Sequence, residues 1–408
     1  MGYEIGTHPQ HVMAKSLSSL WLKSLRRGMK AQRAQSRLLK SLMPEAPRAK
    51  PAKARKPVRA SVTTKRATAR LPTSAQSVRN SASALAARAA PVAGSWQKSY
   101  FSVVSPTATA STRRMLYWLY LPSGASNARD VPLPLVVMLH GCQQTATDFA
   151  TATRMNQLAE RKGFAVLYPQ QSAASDAHRC WHWYERAIQH GQGDVRLIAD
   201  LIAQVQQRHG LDASRTCVAG LSAGAALAAI LALRHPELIA AVGLHSAPVF
   251  GTTDSALSAY RAMQSGAGRS YLAVANAFAQ AAAPFPGMPA IIIHGDRDPV
   301  VRRINAQQLA QQFAIINGTH ITRAEPTRRS YPGRVGGRSP KHAYTTLTHY
   351  AGRKPQLMQC DIAALGHAWS GGDDSVSFSA RAGPNATLMM WAFFARHQRA
   401  PVNLARPT

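Results

Sequence analysis

Residues 218–227 read VAGLSAGAAL. Within them Gly220-Leu221-Ser222-Ala223-Gly224 fits G-x-S-x-G. The pattern alone is weak, because small residues crowd many junctions between strands and helices. Its flanks decide the reading. Residues 215–219 (RTCVA) form a short run suited to a strand, and Ala223–Arg234 is a long Ala- and Leu-rich run suited to a helix. A serine on such a turn has the setting of a nucleophile elbow. Gly220 and Gly224 leave room for the bend, and the backbone N–H groups of the helix N-terminus point outward. The competing reading is a small residue in a tight turn.

Working outward, residues 114–122 (RMLYWLYLP), 134–139 (PLVVML), 164–168, 239–244 and 290–294 read as strands. Residues 148–162, Asp194–His209, 303–316 and 384–397 read as helices, with Val195, Ile198, Leu201, Ile202 and Val205 on one face of the second. The run 134–139 suits a strand buried on both faces. Strands alternating with helices predict an α/β fold, a mostly parallel sheet covered by helices on both sides. Residues 323–348 are rich in Arg, Gly and Tyr and poorly periodic, and read as a loop with room for one strand.

The 408 residues are 46% hydrophobic, enough for a large core, and carry a formal charge of +31. That charge is uneven. Residues 1–95 hold 19 Lys and Arg against Glu4 and Glu45 alone. The chain is therefore divided into a basic extension, 1–95, and an α/β domain, 96–400, that carries the candidate nucleophile. Within the extension, 14–42 place Leu17, Leu20, Trp21, Leu25, Leu38, Leu39 and Leu42 at near-helical spacing among Lys and Arg. This is the pattern of a basic amphipathic helix. It can be a solvated tail, an attachment to an apolar or anionic surface, or a nucleic-acid contact, although no recognised nucleic-acid motif accompanies it. Residues 44–93 have too few large apolar side chains to order themselves and read as a linker. No apolar run approaches the ~18–20 residues of a membrane span. Around residues 17–25 the apolar positions are broken by polar ones, so the ~7–15-residue core of an export signal is missing. This predicts a cytoplasmic protein. The four cysteines match no zinc spacing, and Cys217, in an apolar run, reads as a buried thiol.

The remaining catalytic parts occur in a consistent order. His140-Gly141-Cys142-Gln143-Gln144 follows the strand at 134–139, where a loop lending an oxyanion donor belongs. The backbone N–H groups of Cys142 and Ala223 are the expected donors, and His140 is expected to brace the loop rather than act as a base. Residues 294–300 (HGDRDPV) offer two acids. Asp298, deeper in the loop, is favoured over Asp296 as the partner of the base. His367 stands in 365–372 (LGHAWSGG), between glycine and small residues, as a mobile base would. The order Ser222, Asp298, His367 is that of α/β-hydrolases.

Taken together, HGCQQT (140–145), CWHW (180–183), GDVRLI (193–198), GLSAG, HGDRD and GHAWSGG resemble the poly(3-hydroxybutyrate) depolymerase family of esterases over roughly residues 96–397. The resemblance implies an α/β-hydrolase fold and serine hydrolysis of polyester or short-chain hydroxyacyl esters, with no cofactor and no metal. Related enzymes cleave feruloyl or acetyl esters. Ser222 is then the nucleophile, Asp298 the acid and His367 the base, with Cys142 and Ala223 forming the oxyanion hole. Trp181, Trp183 and Trp369 would line an apolar substrate cleft. His182 stands where Asn or Asp is expected in relatives. A disulfide between Cys142 and Cys180 is implied by secreted relatives and conflicts with the cytoplasmic expectation: either the pair is reduced here or export takes another route, so a secreted protein, as many relatives are, is the alternative. The extension would attach the enzyme to an apolar or anionic surface such as a polyester granule. A different class of reading is a granule- or nucleic-acid-coating protein with an inert hydrolase domain.

Overall fold

The computed structural model describes residues 93–103, 113–125, 131–280, 285–321, 325–335 and 341–399. The candidate amphipathic helix at 14–42 and almost all of the linker at 44–93 lie outside them.

Ten strands form one sheet: β1 (Ser95–Val103), β2 (Arg113–Leu121), β3 (Leu135–Leu139), β4 (Ala165–Gln170), β5 (Thr216–Leu221), β6 (Ala241–His245), β7 (Ala290–Gly295), β8 (Thr327–Tyr331), β9 (Tyr344–Ala351) and β10 (Lys354–Ile362). Their spatial order is β1-β2-β4-β3-β5-β6-β7-β10-β9-β8. The six central strands run parallel, and antiparallel strands complete both edges. Every residue of β3, β5, β6 and β7 is buried, which is why these strands read as apolar runs without alternation. Parallel neighbours need long crossovers, and helices such as Asp194–His209, Ala223–Arg234 and Ile304–Ile316 supply them. The C-terminal ends of β3, β7 and β10 therefore open onto the loops at 140–145, 296–300 and 363–368, and that of β5 onto the turn at Ser222 that starts the helix Ala223–Arg234.

Two expectations need correction. The helix read over 148–162 is two helices, Ala146–Thr153 and Met155–Lys162, joined at Arg154 with φ 53°. Thr145 opens the first through a capping box with Asp148. The break escapes a periodicity reading because both halves bury one stripe. Arg154, whose guanidinium pairs with Asp373 at 3.2 Å, holds the left-handed turn between them. The segment read over 323–348 as a loop with room for one strand holds all of β8 and the start of β9. All five residues of β8 are exposed and two are arginines, so no hydrophobic pattern marks it. Charged side chains on an edge strand discourage pairing with other chains. Two further helices, Ala256–Ser265 and Ser270–Ala279, lie between β6 and β7. Among the described residues no helix is long and apolar enough to cross a membrane.

Candidate active site

Ser222 stands between β5 and the helix Ala223–Arg234 with φ 56° and ψ −121°. A non-glycine residue held there stores roughly 1–3 kcal/mol of backbone strain. The two glycines explain how the bend is tolerated. A Cβ on Gly220 would lie 2.4 Å from the carbonyl of Gly224, and one on Gly224 would lie 2.2 Å from the carbonyl oxygen of Leu139. The elbow thus packs directly on the end of β3. Ser222 N–H donates to the carbonyl of His245 at 2.9 Å, which ties the elbow to β6.

The second loop is fixed by its own polar groups. His140 is fully buried, and its Nε2 accepts from the N–H of Gln171 at 3.1 Å. Its proton therefore sits on Nδ1, 2.8 Å from the carbonyl of Gly141. Burial lowers its pKa to about 4, so it is neutral and braces the loop. Gln171 is held in turn by Asp194, and Asp194 pairs with Arg113, each at 2.8 Å. This gives the GDVRLI segment a structural reason. Gly141 N–H donates to Gln144 Oε1 at 2.9 Å and Gln143 N–H to the His178 carbonyl at 2.6 Å. Between them, the N–H of Cys142 meets no acceptor among the described residues, and neither does that of Ala223 at the helix start. A Cβ built on Gly141 would come 3.6 Å from Ser222 Cβ, so this loop borders the serine.

Cys142 is joined to Cys180 by a disulfide, which fastens the loop to the tryptophan segment.

Asp298 and His367 meet although they come from different strands. His367 Nδ1–H donates to Asp298 Oδ2 at 2.7 Å. The other oxygen, Oδ1, accepts from the N–H groups of Val300 and Val301, both at 2.9 Å. Burial alone would raise the pKa of Asp298. The His367 charge and hydrogen bond, with His294 and the Val301 amide, outweigh it and hold the carboxyl below its usual range. Asp296 takes a different task, accepting from the N–H of Ala364 at 2.7 Å and shaping the turn before His367. Ala364 has φ 57°, a conformation that such a contact helps to hold.

The tryptophans do not line an open cleft. Trp181 and Trp369 have no exposed surface, and their indole N–H groups donate to the His140 carbonyl at 2.9 Å and to Thr387 Oγ1 at 3.0 Å. Trp183 is 4% exposed and packs edge-on against Tyr184. They pack behind the loops and offer an ester chain almost no surface. Between Trp181 and Trp183, His182 turns to Asp176 and Glu185, and the Asp176 contact raises its pKa.

Known proteins share this architecture. A model of the family described as Esterase PHB depolymerase matches residues 115–334, more than half of the chain. The chain belongs to this esterase family. The match ends before His367, so the pairing of that histidine with Asp298 rests on the fold. The poly(3-hydroxyalkanoate) depolymerase C of Paucimonas lemoignei is 31% identical over 50% of this chain and 49% of its own length. A probable acetylxylan esterase A of Neosartorya fischeri is 28% identical over 53% of this chain and 60% of its own. The chain thus spans about half to three-fifths of these relatives. An acetyl xylan esterase structure from Aspergillus awamori aligns with a TM-score of 0.51 and 22% identity, covering 66% of this chain and 94% of that one. The shared fold is the α/β-hydrolase sheet of this PHB depolymerase family member.

Several contributors carry no sequence signal of their own. Gln171 and His245 lie in unremarkable runs, and only the sheet order brings them to the site. Asp194 lies inside GDVRLI, but its partners Gln171 and Arg113 are far away in the chain.

Proposed function

We propose that this chain is a serine carboxylic ester hydrolase acting on poly(3-hydroxybutyrate) or its short oligomers. The observation that carries the reading is the buried 2.7 Å bond from His367 to Asp298, in a fold that strains Ser222 into an elbow at the end of β5. In this reading Ser222 Oγ attacks the ester carbonyl carbon while His367 Nε2 takes its proton. Asp298 holds the Nδ1–H tautomer and stabilises the imidazolium without taking its proton. The tetrahedral oxyanion accepts from the N–H groups of Cys142 and Ala223. Collapse breaks the C–O bond, and the leaving alkoxide receives the proton from His367. Water, deprotonated by the same histidine, then releases the acid and regenerates Ser222.

A hydroxyacyl polyester is favoured by the depolymerase among the relatives. The acetylxylan esterase among them supports the second reading, the same machinery acting on acetyl or feruloyl esters. The Cys142–Cys180 disulfide favours an oxidising compartment over the cytoplasm, since such bonds persist where thiols are not kept reduced. Attachment of 14–42 to a polyester granule stays part of the proposal. Truncation of residues 1–95 should then reduce co-sedimentation with granules.

The deciding experiment is release of 3-hydroxybutyrate from amorphous polyester by the wild type and by Ser222→Ala. Release that Ser222→Ala abolishes supports the proposal. Inactivity on polyester with activity on acetyl or feruloyl esters moves the substrate to the second reading. Inactivity on every ester, with no labelling by a fluorophosphonate, overturns the enzyme reading.

A further inference from the structure

Resting on that esterase reading, we propose that His245 is a positioning residue that sets the loop of His367 against the nucleophile elbow. It ends β6, the strand between β5, which delivers Ser222, and β7, which leads to Asp298. Its main-chain carbonyl accepts from Ser222 N–H at 2.9 Å. Its ring Nε2 lies 3.1 Å from the N–H of Ser370, three residues after His367. One residue therefore holds the serine with its backbone and the base loop with its side chain.

The hydrogen-bond roles follow from the donors. A backbone N–H can only donate, so Nε2 is the bare nitrogen and the ring proton sits on Nδ1, facing Ser246 Oγ at 3.2 Å. The ring must be neutral for this bond to exist. It is fully buried, and burial, helped by the neighbouring His294 and His367, lowers its pKa to about 3. Its flat face stacks on Trp369 at 5.1 Å and 25°, and Trp369 is itself pinned through Thr387. Ser370 is fixed from its other side, its hydroxyl donating to the Pro384 carbonyl at 2.6 Å. The segment after His367 is thus clamped at successive residues, and the imidazole of His245 is the clamp that reaches back to the serine. Trp369, read from sequence as a cleft residue, becomes part of this clamp.

The chemistry also says what can replace it. Gln carries a carbonyl acceptor at about the reach of Nε2. Leu fills apolar volume and offers no acceptor, leaving the buried Ser370 N–H unpaired. The test uses the full chain, with kcat and KM on p-nitrophenyl butyrate for wild type, His245→Leu and His245→Gln. Folding is checked by near-ultraviolet circular dichroism. Misplacing a catalytic group through a distant contact costs on the order of 10²-fold in rate, so His245→Leu should lose about that factor in kcat with KM changed by no more than about twofold. His245→Gln should recover at least about tenfold of that loss. Independently, in the wild type labelled with nitrogen-15, a coupling across the hydrogen bond should join Ser370 N to His245 Nε2.

A folded His245→Leu with wild-type kcat overturns the proposal. So does a folded His245→Gln no better than His245→Leu, or a wild type without the coupling. If His245→Leu does not fold, His245→Gln and the coupling decide alone. A wild type that hydrolyses no ester and takes no fluorophosphonate fails at the esterase reading instead, and the coupling then decides whether His245 holds the Ser370 amide.

Discussion

Ser222 is held by its backbone, whereas Asp298 and His367 hold each other through their side chains, so single substitutions test them separately. Ser222→Ala leaves the elbow backbone intact, because alanine is no larger. Hydrolysis should fall by about 10⁴-fold or more while the thermal midpoint stays near that of the wild type. Asp298→Asn keeps the shape of the acid. Its amide group, turned toward His367, would face Nδ1 with a donor or force the other tautomer, and Val300 and Val301 already claim the remaining oxygen. A loss of about 10⁴-fold in kcat is expected, read on p-nitrophenyl butyrate at neutral pH. Asp296→Asn should cost far less, because its carboxylate touches the Ala364 amide and the Asn carbonyl can still accept there. Comparable losses at the two positions would show that the acid has been assigned to the wrong carboxylate.

At the scale of elements, the helix Ala223–Arg234 meets the end of β3 through Gly224. Any Cβ there strikes the carbonyl oxygens of Leu139 and His140, and backbone cannot swing aside as a side chain can. Gly224→Ala should therefore separate the elbow from the 140–145 loop. We expect about 1–3 kcal/mol of destabilisation in urea titration and a fall in kcat, since Ser222 and Cys142, the proposed oxyanion donor, sit on the two surfaces being pushed apart. The helix Ala146–Thr153 begins where that loop ends, and Thr145 caps it by accepting from Asp148 N–H at 3.1 Å. Removing such a cap typically costs about 1 kcal/mol.

For the whole molecule, the buried histidines set the response to acid. Burial lowers His140 to about 4 and His245 and His397 to about 3. In the unfolded chain all three protonate near pH 6.5, so there the unfolded state binds protons that the folded state refuses. Their stabilising contribution is complete above about pH 6.5 and declines as pH falls toward the folded values, by on the order of 1 kcal/mol per pH unit for each histidine. Asp298 adds a loss at still lower pH, because its folded pKa is depressed and its contribution disappears as the carboxylate protonates. The urea midpoint should therefore drop between pH 7 and pH 5; a midpoint constant over that range would contradict the buried neutral state of these rings. The disulfide acts on the unfolded chain instead. It links residues 38 apart, and closing a loop of that size is worth about 4 kcal/mol in the chain-entropy model. A reductant should lower the thermal midpoint, and the loosened 140–145 loop should lower kcat in the same samples.

Sequence alone determined the parts that depend on local order. The alternation of apolar strands and helices specified a parallel sheet, because strands buried on both faces need no polar alternation. The chain order of Ser222, Asp298 and His367 was legible because each sits in a short motif just past a strand, whereas Asp296 and Asp298 share one motif and only the fold brings His367 to Asp298. Tertiary structure alone decided what depends on distant neighbours. Arg154, at the break between two helices, pairs with Asp373 far along the chain. The exposed strand β8 exists because β9 pairs with it, not because its own residues favour burial. Trp181 and Trp369 became packing rather than cleft because their N–H groups found buried acceptors. His245 acquired a role only when β6 was placed between β5 and β7. Local pattern records which face of an element is apolar, whereas a hydrogen bond between remote loops leaves no periodicity to read.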